Sequence, residues 1–283
     1  MLDSSWLRDY FKKLSENILN SEISSESALT ATVEFPLSGW GKSKSLLQAL
    51  GYNKANVQQQ FAVKGIGTAK PRVDFLIGDK PNHWMLELKK PSDICERPKY
   101  VEQLQSYMVQ ENIAMGILFN GRQALAYVNP EHSCIINICN NIKEEEISVI
   151  PDLNLKLCPI RKANIISSDI KEMVTFFRQF RYDEKLLDIQ ALAFNLTDQY
   201  VRKLRQDAKL AIRNNAIRTA LNEIFNNPDE LILDAIIKAS KSLSDIKTKP
   251  NELLNIWKNI SFITESETNK NNSPNNIGSN HLK

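Results

Sequence analysis

Two alternating stretches separated by a run of turn formers constrain this chain more than any other feature. Arg72-Val73-Asp74-Phe75-Leu76-Ile77 ends at Gly78. Gly78-Asp79-Lys80-Pro81-Asn82 then breaks the pattern before His83-Trp84-Met85-Leu86-Glu87-Leu88-Lys89 resumes it. Alternation bounded by Gly, Pro and Asn reads as strand, turn and strand of a hairpin. Side chains two apart on a strand share a face, so Trp84, Leu86 and Leu88 point one way and Met85, Glu87 and Lys89 the other. In an ordinary hairpin register, Asp74 lies on the adjacent strand within reach of Glu87 and Lys89.

That arrangement brings two carboxylates and an ammonium together. Carboxylate oxygens hold hard divalent cations. Such a cation polarises a scissile phosphate and lowers the pKa of a bound water, while a lysine neutralises developing charge or orients that water. Asp74, Glu87 and Lys89 are therefore candidates for metal-assisted phosphodiester hydrolysis. Glu-x-Lys by itself is short, and 24% of the chain is charged, so a solvated strand face explains it equally well.

The following residues tip that balance. Pro91 and Pro98 bracket a loop, and Lys99 to Gln110 has helical character. Gln103 and Tyr107 are four apart and so share a helical face. Ile113 to Phe119 is a short apolar run suited to a buried strand. The turn Asn120-Gly121 and a further strand from Gln123 to Val128 come next.

Strand, turn, strand, helix and strand, carrying Asp, Glu-x-Lys and Gln-x-x-x-Tyr in that order, resembles the PD-(D/E)XK nuclease superfamily. More narrowly, it resembles the N-terminal nuclease domain of the restriction (R) subunit of type I restriction enzymes. The resemblance covers Val33 to Val128. It rests on Pro71-Arg72-Val73-Asp74, Leu86-Glu87-Leu88-Lys89-Lys90-Pro91, Gln103-Leu104-Gln105-Ser106-Tyr107 and Gly116-Ile117-Leu118-Phe119-Asn120-Gly121-Arg122. It implies an α/β fold: a restriction-endonuclease-like mixed sheet core flanked by helices. An all-helical C-terminal module would follow.

Carried over position by position, the resemblance makes Asp74 and Glu87 the metal carboxylates and Lys89 the catalytic lysine. The backbone carbonyl of Leu88 would be a further ligand. Gln103 and Tyr107 would support the site and contact the nucleic-acid backbone, with Lys90 beside them. The family often has a glutamate on a helix ahead of the core, upstream of a Leu-Leu-x-x-Leu-Gly segment. Leu46-Leu47-Gln48-Ala49-Leu50-Gly51 fits that segment, and Glu34 is the best candidate for the glutamate. Pro36, Gly39 and Gly41 in between are poor helix formers and depart from the family spacing. The implied cofactor is Mg²⁺ or Mn²⁺. The implied activity is divalent-metal-dependent nuclease action, on DNA in preference to RNA, in a restriction or anti-phage defence context. One rival is a nuclease-like module that binds nucleic acid or protein without cutting; another is an RNA-directed nuclease.

Other chemistries find less support. Gly41-Lys42-Ser43 ends like a phosphate-binding loop, but that loop needs Gly where Pro36 stands. Cys95, Cys134, Cys139 and Cys158 lack zinc spacing, and the histidines do not cluster with them. His83 borders the hairpin, either facing substrate or simply ending a strand. No apolar stretch approaches the roughly 20 residues needed to span a bilayer. The first 19 residues read as an amphipathic helix and not as a signal peptide, which fits a cytoplasmic protein with no membrane contact.

A net charge of +3 means that any nucleic-acid binding must use local patches. Lys64, Lys70, Arg72, Lys89 and Lys90 form one around the proposed site. Arg202, Arg205, Lys209 and Arg213 recur at helical spacing opposite Val201, Leu204, Ala208, Ala211 and Ile212. That stripe either follows phosphates or is an ordinary solvated helix face.

At 283 residues about two domains are expected. Residues 1–56 read as a helical lead-in and 57–150 as the nuclease core. The helical module at 165–263 has expected helices at 169–182, 184–194, 198–225, 229–242 and 251–260. The Asn- and Ser-rich stretch 264–283 reads as a disordered tail. The helical module would position substrate, mediate homo-oligomerisation or dock a partner subunit that supplies specificity.

Overall fold

The computed structural model describes residues 5–34, 44–64, 71–140, 142, 155, 158–165, 170–182 and 187–226. The expected helices at 229–242 and 251–260 and the expected tail at 264–283 lie outside these residues, as does Lys70 of the first basic patch. The chain divides into two compact units, residues 1–208 and 209–283.

The first unit is built on a six-stranded sheet in the order β1 to β6. Its strands are β1 (Val57–Ala62), β2 (Arg72–Ile77), β3 (Trp84–Leu88), β4 (Met115–Phe119), β5 (Gln123–Val128) and β6 (Arg161–Asn164). Every neighbouring pair is antiparallel except β3 and β4, which are parallel. A parallel pair needs a long crossover; here it contains helix α4 (Pro98–Gln110). The remaining helices are α1 (Ser5–Leu19), α2 (Glu26–Val33), the single turn α3 (Leu46–Ala49), α5 (Ser133–Asn140), α6 (Lys171–Arg178) and α7 (Ile189–Asn226).

Both faces of the central strands are covered, which is why every residue of β3 and β4 is buried. On one face Phe75, Ile77, Trp84, Leu86, Leu88, Ile117 and Phe119 join a core with residues of α1, α3 and α6. Helix α1 supplies Leu7, Tyr10, Phe11, Leu14 and Ile18, whose three- and four-residue spacing makes one apolar stripe. On the other face Leu76, Met85, Leu118, Leu125 and Tyr127 pack with Val101, Leu104, Tyr107 and Met108 of α4. Helix α4 sits so close that a Cβ on Gly116 would lie 2.8 Å from Met108 Sδ and 2.9 Å from Leu104 Cδ1.

The turn end of the hairpin is tied to later elements. Trp84 Nε1 donates to Tyr52 Oη at 2.9 Å, and Tyr52 Oη donates to Phe180 O at 2.9 Å. Asn56 Nδ2 and the Tyr182 hydroxyl both donate to the Asp79 carboxylate. Asn82 Oδ1 accepts from Ile189 N, fixing the start of α7.

The alternation placed β2 at its observed bounds and β3 within one residue at each end. Three elements were not foreseen: β1, β6 and α5. The expected helices at 184–194 and 198–225 are parts of the single helix α7, with residue 184 outside the described residues. Thr197, between the two expected ranges, donates its hydroxyl to Ala193 O at 2.7 Å and so is satisfied inside the helix. Helix α6 packs on α1 and β6 as part of the sheet's own core, and the division between units falls within α7. Of the second unit, residues 209–226 are described, and they complete α7. No helix among the described residues is long and apolar enough to cross a membrane.

Candidate metal and phosphodiester site

The hairpin ladder ends one step before the candidate carboxylates. The last β2–β3 pair is Phe75 with Leu86, and the same register would next oppose Asp74 to Glu87. There the strands part and the carboxylates replace the missing backbone acceptors. Leu88 N donates to Asp74 Oδ2 at 2.7 Å, and Asp74 N donates to Glu87 Oε2 at 3.3 Å. Each acidic side chain is thus fixed by an amide of the opposite strand.

Lys89 closes the group. Its Nζ donates to Glu87 Oε1 at 2.7 Å. Both residues are almost wholly withdrawn from solvent, Glu87 at 4% and Lys89 at 6% exposure. The amine also lies 4.9 Å from the centroid of the Tyr100 ring, a cation–π distance. The Tyr100 hydroxyl donates to Asp93 Oδ2 at 2.8 Å, and Asn120 Nδ2 donates to Asp93 O at 2.7 Å, which ties the 90–97 loop to the end of β4.

Burial pushes the Glu87 carboxyl up to about 7; the Asp74 charge adds to this and the Lys89 ammonium opposes it. Burial also raises Asp74, against the Leu88 amide, the Lys89 charge and the Gln60 amide. For Lys89, burial favours loss of the proton, but the charge and hydrogen bond of Glu87, with Glu26 and Asp74, outweigh it. The amine is held above its ordinary value. At neutral pH Lys89 is a fixed cation and Glu87 is close to its titration midpoint.

Glu26 joins this field, and the sequence reading passed over it. It occupies the first turn of α2 behind the N-cap Ser25, whose side chain accepts from Ala28 N. Burial raises its carboxyl, the Lys89 charge lowers it, and Asp74 and Asp93 raise it further. Glu34 stands at the other end of α2 as its C-cap, about 12 Å away along the axis at 1.5 Å per residue. The Glu34 carboxylate accepts from Gln59 Nε2 at 2.8 Å. Ser25-Glu26 ahead of the apolar Leu29 and Val33 was the available signal: a capping serine and a first-turn acid.

Gln103 and Tyr107 come from α4 on the sheet face that carries Met85. Gln103 Nε2 donates to Tyr107 Oη at 2.8 Å, and Tyr107 is buried in the same cluster as Met85 and Val73. Lys90 is exposed beside Lys89. Of the first patch, Arg72 and Lys64 are exposed, and the Lys64 amide donates to Glu111 Oε1. His83 is half-buried at the turn end of β3, away from Glu87 and Lys89, and burial lowers its pKa.

The residues of the expected basic stripe differ in exposure. Arg202 is exposed and paired with Asp198 at 2.8 Å, and Lys209 is exposed. Arg205 and Arg213 are half-buried, whereas Ala211 and Ile212, expected on the apolar face, are exposed. Val201 and Ile217 are buried.

The fold and site together define a mixed α/β domain with two carboxylates and a lysine at the parting of a central hairpin. Residues 43–142 match the family model described as Type I restriction enzyme R protein N terminus (HSDR_N). The match contains Asp74, Glu87, Lys89, Gln103 and Tyr107, and it bears out the resemblance to that N-terminal domain over those residues. No curated protein and no solved structure gives a significant match.

Proposed function

We propose that this chain is a divalent-metal-dependent nuclease of the PD-(D/E)XK type, acting on DNA in a restriction or defence setting. The observation that carries the reading is the convergence of Asp74, Glu87 and Lys89 through the Leu88 and Asp74 amides and the Lys89–Glu87 ion pair. The family match supplies the restriction context.

The donor set fits Mg²⁺ or Mn²⁺. Among the described residues no three His, Cys, Asp or Glu side chains form a metal-holding group. Asp74 and Glu87 would supply two carboxylates and Leu88 a backbone carbonyl, with water completing the shell. Mg²⁺ suits such a site, because it keeps several waters and takes only one or two carboxylates. Glu26 is better placed than Glu34 to act on this group, through water or directly. A bound cation supplies Lewis acidity at the phosphate and a more acidic water.

The chain's own residues supply the rest. Lys89, held protonated, donates to the phosphoryl oxygen on which negative charge accumulates. Glu87, ionised, would be one of the cation's carboxylates, and Lys89, which donates to Glu87 Oε1 in the free protein, would donate to substrate when a cation holds that carboxylate. Tyr100 shields the amine from water on one side. Lys90 contacts a neighbouring phosphate, and Gln103 and Tyr107 brace the cleft from α4.

The test is incubation of the purified chain with supercoiled plasmid, linear duplex, single-stranded DNA and RNA, each with Mg²⁺, Mn²⁺ or EDTA. Metal-dependent cleavage of a DNA substrate is expected. Cleavage of RNA alone would move the substrate assignment. Binding without cleavage of any substrate would make the domain a non-cutting nucleic-acid module.

A further inference from the structure

Gln60 on β1 lies directly opposite Asp74 in register, and its backbone is unusual. The β1–β2 ladder pairs Gln59 with Phe75 and Phe61 with Val73, but the Gln60 and Asp74 pair between them is missing. At that point Gln60 has a φ of 47°, in the left-handed region that residues other than glycine rarely adopt. Its side-chain Nε2 donates to Asp74 Oδ1 at 2.9 Å. A carboxylate can only accept, so the amide must present its N–H groups there. With Oδ1 on Gln60 and Oδ2 on Leu88 N, the Asp74 carboxylate is held from both sides.

We propose that Gln60 is a positioning residue: the left-handed turn of β1 aims its amide at Asp74 Oδ1 and thereby fixes the carboxylate plane with Oδ2 on Leu88 N. Backbone strain persists where the surroundings over-determine it, and such sites cluster around functional groups. An edge strand has a blander use for a kink, since it spoils pairing with another chain. That use needs no hydrogen bond to Asp74. The catalytic meaning of the contact rests on the nuclease reading above; the contact itself does not.

Gln60→Gly separates the two roles, because glycine accepts the left-handed backbone without strain and removes the amide. Gln60→Ala removes the amide and keeps the strain. Amide hydrogen exchange of the metal-free protein is the first readout. In both variants Leu88 N–H is expected to exchange about tenfold faster, as one hydrogen bond loosens, while Leu86 N–H is unchanged. Unchanged Leu88 exchange in Gln60→Gly would overturn the proposal and leave the kink as edge protection. Mn²⁺ titration is the second readout. Lost support for a ligand weakens binding by about tenfold or more, and cleavage should recover at higher Mn²⁺. If the unsubstituted protein binds no Mn²⁺, the nuclease reading fails, and Leu88 exchange still decides the role of Gln60.

Discussion

Lys89 Nζ and Glu87 Oε1 are 2.7 Å apart, and both side chains are nearly closed to solvent. The pair holds the lysine cationic and occupies one oxygen of a carboxylate that a cation would also use. Removing one partner of a buried pair typically costs about 3–5 kcal/mol, because the other charge is left without compensation. Here Glu87 can take up a proton, which limits the cost.

Lys89→Ala should therefore lower the melting temperature more at pH 8 than at pH 6, where the remaining carboxyl is protonated. Cleavage should fall by roughly 10²–10³, the usual loss on removing one charge-stabilising donor. Mn²⁺ affinity should stay equal or improve, since the amine no longer competes for Glu87. Thermal melts at two pH values and a calorimetric Mn²⁺ titration check all three. Equal destabilisation at both pH values would show that Glu87 does not neutralise.

The Glu87 carboxyl predicts a pH dependence of opposite sign to that of an ordinary surface acid. Between its ordinary value of 4.5 and about 7, the folded chain retains a proton that the unfolded chain has released. Its contribution to stability thus falls as pH rises through that window. Metal binding needs the deprotonated form, so apparent Mn²⁺ affinity should rise with pH and level off above about 7. Glu87→Gln should weaken both trends, leaving the share that the raised Asp74 carboxyl contributes. Melting curves and metal titrations from pH 5 to 8.5 measure them.

The two candidate glutamates on α2 make contrasting predictions. Glu26→Gln should raise the Mg²⁺ concentration needed for half-maximal cleavage by about tenfold, within the range for outer-shell partners of a metal site. Glu34→Gln should leave it unchanged, because that carboxylate is engaged by Gln59 at the far end of the helix. Metal-dependence curves for the two variants, run side by side, separate them.

Phosphate contacts should differ likewise. Lys90→Gln should reduce the slope of log affinity against log salt by about one, as expected for one lost contact. Arg202→Gln should change it less, because Asp198 already offsets the Arg202 charge. Binding of a fixed duplex across a salt series gives both slopes.

The legible part of this chain is the part governed by short-range periodicity. Alternation placed β2 and β3, and with them Asp74, Glu87 and Lys89, because strand geometry alone puts Glu87 and Lys89 on one face. The Gln-x-x-x-Tyr spacing likewise put Gln103 and Tyr107 on one helical face. What was missed depends on tertiary contact. Strand β1 reads Val-Gln-Gln-Gln-Phe-Ala, with no alternation, because it is an edge strand with little buried surface. Glu26 feels the Lys89 charge through the fold and not through any sequence spacing. The exposure of each basic residue on α7 depends on what packs against the helix, which a short window of sequence does not reveal.

Nicking of supercoiled plasmid by the unsubstituted chain and by Asp74→Asn, with Mg²⁺ or EDTA, tests the central claim most directly. Asp74→Asn keeps the shape, while its neutral amide is a far poorer ligand for a hard cation. The account predicts Mg²⁺-dependent nicking by the unsubstituted chain, none with EDTA, and a loss of roughly a hundredfold or more in Asp74→Asn. Nicking that survives EDTA, or that Asp74→Asn retains in full, would contradict it.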